Sequence, residues 1–233
     1  MGELRPPDPD PIIARWIVPA VVFSFLLLGA AGVVLLAQYG GLPDRFPTHY
    51  GMDGKADAFG PKSTALVALP LAMGVLATAL LALLAYGIAF GTRCRGTGEI
   101  LEERMGQRRV YAGTMLVLAV ILSVLFSYVS LLPVAGPDGM VGGPWVIVAL
   151  VILILLLAFW LAIRMADTPG EGETPRERWT GKVIYYNRED PALMVERRLG
   201  FGYTPNFARP LGWVVIALAL GLAATPFVLM RLG

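Results

Sequence analysis

Trp16-Ile-Val-Pro-Ala-Val-Val-Phe-Ser-Phe-Leu-Leu-Leu-Gly-Ala-Ala-Gly-Val-Val-Leu-Leu-Ala37 contains no Asp, Glu, Lys, Arg or His. At about 1.5 Å of rise per helical residue, roughly 20 such residues cross a bilayer core. Four further runs share this character, from Thr64 to Phe90, Val110 to Leu132, Trp145 to Ile163 and Leu211 to Met230. The first run exceeds the apolar region of a secretion signal. Its flank (Pro6, Pro7, Asp8, Pro9, Asp10, Pro11) is acidic rather than basic, so it reads as a retained helix. The expected fold is all-α: a polytopic bundle of five transmembrane helices, with a small extracytoplasmic hairpin loop and a cytoplasmic amphipathic segment.

Composition agrees. The chain has 233 residues, is 56% hydrophobic and has a mean hydropathy of +0.66. That places it in the membrane class. Sixteen Arg and three Lys are present with no basic block interleaved with aromatics, which argues against a nucleic-acid surface. The single cysteine, Cys94, excludes an intrachain disulfide.

Positive charge sets the expected orientation. With the N-terminus inside, fifteen Lys and Arg fall on the inner side and four on the outer. The expected topology is a plasma-membrane protein with a cytoplasmic N-terminus and an extracytoplasmic C-terminus. The expected divisions are 1–91 (two spans, with an extracytoplasmic loop at 38–63), 92–165 (two spans) and 166–233 (a cytoplasmic linker and module, then the fifth span). Gly74 with Thr78, Gly87 with Gly91, and Ala217 with Gly221 have the small-xxx-small spacing that lets helices approach closely. Pro70 and Pro226 should kink the second and fifth spans.

The outer loop, Leu42 to Ser63, is the candidate ligand-sensing surface and concentrates scarce chemistry: the lone histidine His49, the acids Asp44, Asp53 and Asp57, and the cations Arg45, Lys55 and Lys62. Pro43 and Pro47 favour extended chain before them. Asp53-Gly54 signals a tight turn between extended pieces at Thr48–Tyr50 and Ala56–Phe59. Ser63 or Thr64 can cap the second span. Phe46, Tyr50 and Phe59 are candidates for the membrane interface. His49 with Asp53 and Asp57 is a weak metal candidate, since the spacing fits no zinc or calcium signature and the chain has no second histidine. No cofactor is implied, and no nucleophile accompanies the Asp–His pair at a recognisable spacing.

The inner polar region begins with an acidic linker at 167–175 and continues into a β-like run, Trp179–Asn187. Asp190-Pro191 reads as a helix start, with an amphipathic helix extending to Leu199 on the membrane surface and Gly200 as its cap. Asn206 is the expected N-cap of the last span. Tyr185, Asn187, Asp190, Arg197, Arg198, Asn206 and Arg209 form the candidate surface for the membrane or a cytoplasmic partner.

The run Leu42-Pro-Asp-Arg-Phe-Pro-Thr-His-Tyr-Gly51, continued by Asp53-Gly-Lys-Ala-Asp-Ala-Phe-Gly-Pro-Lys62, resembles a bacterial membrane domain of unknown function shared with SdpI-type immunity proteins. Tyr185–Pro191, Val195–Gly200 and Thr204–Pro210 are similar to a second uncharacterised module that accompanies it. The resemblance implies a sensor or immunity-type protein that recognises an extracytoplasmic peptide or envelope ligand and engages a cytoplasmic regulator. A transporter, or an accessory subunit of one, is the second reading. Its best polar face is Ser123, Ser127 and Ser130 with Tyr128, although no span carries an ionisable residue of the kind coupled carriers use. A membrane enzyme built on the His49 loop is the third. Oligomeric state is open at this level.

Overall fold

The computed structural model describes residues 10–51, 56–92, 99–135, 144–166, 176–181, 183–197 and 202–232. Five helices dominate: α1 (Pro11–Gln38), α2 (Thr64–Gly91), α3 (Glu99–Ala135), α4 (Pro144–Ala166) and α5 (Pro210–Leu232). Four of them, α1, α2, α3 and α5, are long and apolar enough to cross a membrane. In α4 the described apolar stretch, Val146–Leu161, is shorter. Leu26, Leu155, Phe159, Leu220 and Phe227 are all exposed. In water such surface would be costly, but lipid accommodates it.

α1, α2 and α3 form the packed centre, with α5 against α2 and α4 against α3. Close approach relies on small side chains. A Cβ on Gly74 would lie 2.6 Å from Phe126 Cβ and 2.9 Å from Leu28 Cδ2, so three helices meet at that glycine. Gly87 faces α5, where a Cβ would lie 3.4 Å from Leu211 Cδ2, but the tightest neighbours of Gly87 and Gly91 are not helical. The two glycines receive Met194 and Leu193 of the segment preceding α5, and any side chain at Gly91 would overlap Leu193. Gly221 has no neighbour within 4 Å, so the Ala217–Gly221 pair makes no close helix contact here.

Each end of the bundle carries small strands. Between α1 and α2, β1 (Arg45–Tyr50) and β2 (Ala56–Pro61) form the expected antiparallel hairpin. Its Asp53-Gly54 turn lies outside the described residues. Ser63 caps α2 as expected, its Oγ accepting from Leu66 N at 3.1 Å. At the opposite end, β3 (Trp179–Thr180) pairs with β4 (Ile184–Tyr185), and β5 (Met194–Glu196) pairs with β6 (Tyr203–Pro205). Gly181, at φ +60°, makes the turn in the first pair, a conformation that suits glycine.

The amphipathic helix expected from Asp190 does not form. Residues 191–193 are irregular and continue into β5. A helix needs the carbonyls of 190 and 192 for its own N–H groups, but here both accept from the Asn206 side chain. Leu193 N donates instead to Gly91 O at 2.8 Å, tying the segment to the end of α2. Asn206 is likewise not the N-cap of α5, which starts at Pro210.

One anchor at this end was not expected. Asp10 caps α1, its Oδ1 accepting from Ile12 N at 2.9 Å and Ile13 N at 3.2 Å. Its other oxygen accepts from Arg109 Nε at 2.9 Å and lies 3.7 Å from Arg108, while its backbone N–H donates to Ala89 O. One carboxylate thus joins α1, α2 and α3, and it is fully buried. The core beside it unites Ile13, Ile17, Ala85, Ile88, Leu116 and Met194.

Candidate functional site

The β1–β2 hairpin is seated by apolar contact. Leu42 and Phe46 bury themselves with Leu35 of α1 and Val67 of α2. Phe46 is therefore a core residue rather than an interfacial one, while Phe59 is 46% exposed. The side chain of Tyr50 lies outside the described residues. Lys62 is an internal fastener: its Nζ donates to Gly40 O at 3.2 Å and Leu42 O at 2.9 Å, above the Tyr39 ring. It thereby satisfies carbonyls where the chain leaves α1. Arg45 donates to Phe59 O at 3.4 Å, and Asp44 contributes its carbonyl to Lys62 N.

His49 and Asp57 meet because the hairpin register is irregular. Pro47 lies opposite Phe59, His49 opposite Ala58, and Tyr50 opposite Ala56, which leaves Thr48 and Asp57 as the extra residues. Pro47 has no N–H to continue the ladder, so a bulge is the natural accommodation. The result is an exposed pair, with His49 Nδ1 2.5 Å from Asp57 Oδ1. An ionised carboxylate only accepts, so Nδ1 carries a proton in this pair. Asp53 and Lys55 lie outside the described residues. Among the described residues no three His, Cys, Asp or Glu side chains gather as a metal site.

Beneath the hairpin lies a largely apolar cleft of about 480 Å³, a volume within the usual range for small-ligand sites. One wall is the β1 edge, Pro47 to His49; the opposite walls come from α2, α3 and α4. Leu66 and Pro70 of α2 border it, as do Val129 and Pro133 of α3 and Ile147 and Val148 of α4. Each of these prolines removes the N–H that would bond the carbonyl four residues earlier. Those two carbonyls belong to Leu66 and Val129, so both lie on residues of the same cleft.

The residues expected at the other polar site also come together, but around Asn206. Its Nδ2 donates to the carbonyls of Asn187, Asp190 and Ala192 at 2.9, 3.1 and 3.2 Å. Its Oδ1 accepts from Asn187 N and Ala208 N, both at 3.1 Å. Tyr185 donates its hydroxyl to Asp190 Oδ2 at 2.9 Å and accepts from Asn187 Nδ2 at 3.2 Å. Arg209 closes the outside through Nε and Nη2 to Asp190 O. Tyr185 and Asn206 are fully buried, which makes them scaffold rather than docking surface. Arg197 is exposed, and Arg198 lies outside the described residues.

The hydroxyl face of α3 is buried rather than open. Ser123 and Ser130 donate to Val120 O and Phe126 O of their own helix. Ser127 Oγ, between them, is buried without a hydrogen-bond partner among the described residues.

Residues 25–74 match a domain of unknown function, DUF1648, and residues 188–213 match a family of unknown function, DUF5808. The first match holds the hairpin and the cleft's α2 wall; the second holds Asp190, Asn206 and Arg209. Together they cover about a third of the chain. No curated protein and no solved structure matches it.

Proposed function

We infer that the chain is a multi-pass receptor or immunity-type protein of a bacterial plasma membrane, related to the SdpI type. Its hairpin recognises a peptide or other envelope ligand outside the cytoplasm. The observation that carries this reading is the cleft under the hairpin, bordered by the exposed His49, which pairs with Asp57. The charge count supports the orientation, with fifteen cations to the inner side and four to the outer. The Asn206-centred module then lies inside, against the ends of α1, α2 and α3, where a cytoplasmic regulator can reach it. The burial of the α3 serines, two of them bonded within their own helix, favours recognition over transport.

The test uses cells challenged with a membrane-active peptide against which the wild-type protein protects. Changing His49→Ala together with Asp57→Ala removes an exposed pair, worth at most about 1 kcal/mol of stability. The protein should remain in the membrane at its normal level while the protective concentration falls by roughly tenfold, as expected for losing one or two ligand hydrogen bonds. Undiminished protection by the double variant would refute the hairpin's role.

A further inference from the structure

We propose that the cleft is an acceptor-lined site for an extended, apolar peptide segment. Its side chains fill the cavity, and its backbone N–H groups donate to the carbonyls of Leu66 and Val129. This rests on the receptor reading and specifies which part of the ligand is read.

The helices contain prolines in several places, but only two of them bear on this cleft. Pro19 in α1 and Pro226 in α5 deprive the carbonyls of Arg15 and Leu222, which are not cleft residues. Pro70 and Pro133 lie on different helices, point in chain order to Leu66 and Val129, and border the same cavity as those residues. Within an apolar environment a backbone carbonyl without its helical donor carries an unmet hydrogen-bonding capacity. The helical walls of the cleft therefore present acceptors.

That character decides between the two apolar occupants available at a membrane surface. The part of a phospholipid that an apolar cleft would take in, its acyl chains and their ester groups, carries no N–H or O–H to offer those carbonyls. A peptide in extended conformation presents an N–H at each residue with alternate side chains on one face. The volume suits a few apolar side chains of such a segment, and the β1 edge alongside offers it a wall of extended chain.

The experiment compares two pools of apolar hexapeptides on the full-length protein in lipid nanodiscs. One pool has ordinary amides; the other replaces alternate amides by esters, removing N–H groups with little change in shape. The amide pool should bind roughly tenfold more tightly, since two hydrogen bonds of ordinary strength separate them. Pro70→Ala and Pro133→Ala each restore an intrahelical N–H and favour the helix, so both variants should fold. Each should shrink the amide advantage while leaving ester binding unchanged. Equal binding of both pools, or a preference unmoved by either proline change, overturns the acceptor site. So does displacement of both pools by a lysophospholipid with no amide preference, which would identify a lipid site. Each of these outcomes leaves the receptor reading to stand or fall on the protection of cells by the His49–Asp57 double variant.

Discussion

Asn206→Ala should release the 176–209 module from the bundle, at a cost of about 4 kcal/mol. Five hydrogen bonds converge on this one buried amide, from three carbonyls and two N–H groups. Alanine leaves all five groups behind in a space where water must now enter. An unmade bond to a buried group costs about 1–3 kcal/mol, and partial hydration recovers some of that sum. The expected readout is tryptic cleavage at Arg178 and Arg188, which should accelerate by up to roughly a thousandfold where local opening limits the rate. Asn206→Asp should be no better. It keeps an acceptor for Asn187 N and Ala208 N, but turns a second oxygen toward three carbonyls that need a donor. Wild-type resistance to trypsin in Asn206→Ala would mean that the amide is not the centre of the module.

Asp10→Ala should destabilise the bundle by about 3 kcal/mol, and Asp10→Asn by less. The alanine removes the α1 cap and leaves Arg108, whose side chain is 3% exposed, without its carboxylate. Arg109 is 37% exposed and can turn to solvent, which is why the lower end of the range for broken buried pairs applies. Asparagine retains one cap oxygen, Oδ1, while losing the charge. Burial is the largest single influence on the Asp10 carboxyl and pushes its pKa up. The Ile13 N–H, the Arg109 guanidinium and the Ile12 N–H together outweigh it, so the group sits below its ordinary value of 3.8. The sign follows from linkage: the carboxylate's contribution is complete above 3.8 and is lost as pH falls from there through the lower native value. Thermal unfolding in detergent between pH 7 and pH 3 should therefore show an acid-side loss that Asp10→Asn lacks. An identical acid profile in the variant would remove Asp10 from this role.

The parts legible in the sequence were those governed by local chemistry. Uncharged runs of spanning length specified the helices, Ser63 specified a cap, and Pro47 with Asp53-Gly54 specified a hairpin. What escaped depends on partners distant in the chain. Asp10 belongs to a flank that reads as an acidic, proline-rich leader, and its guanidinium partner is 99 positions away. Asp190-Pro191 has the local form of a helix start, yet an amide 16 residues further on takes the carbonyl a helix would use. Gly87 and Gly91 have the spacing of a helix-packing motif, but that spacing cannot distinguish a neighbouring helix from Leu193 and Met194. Lys62 reads in the sequence as a ligand-facing cation, yet it donates to the carbonyls of Gly40 and Leu42. The pairing of His49 with Asp57 needed a bulge that residue order alone does not specify.

Side-specific labelling tests the proposed orientation of the two polar ends most directly. In a Cys94→Ser background, Phe59→Cys places a thiol on the exposed hairpin and Val183→Cys places one on the exposed turn of the opposite module. A membrane-impermeant maleimide applied to intact cells should label Phe59→Cys and spare Val183→Cys until the cells are permeabilised. Labelling of Val183→Cys in intact cells, with Phe59→Cys protected, would put the hairpin in the cytoplasm and contradict a receptor that reads the outside.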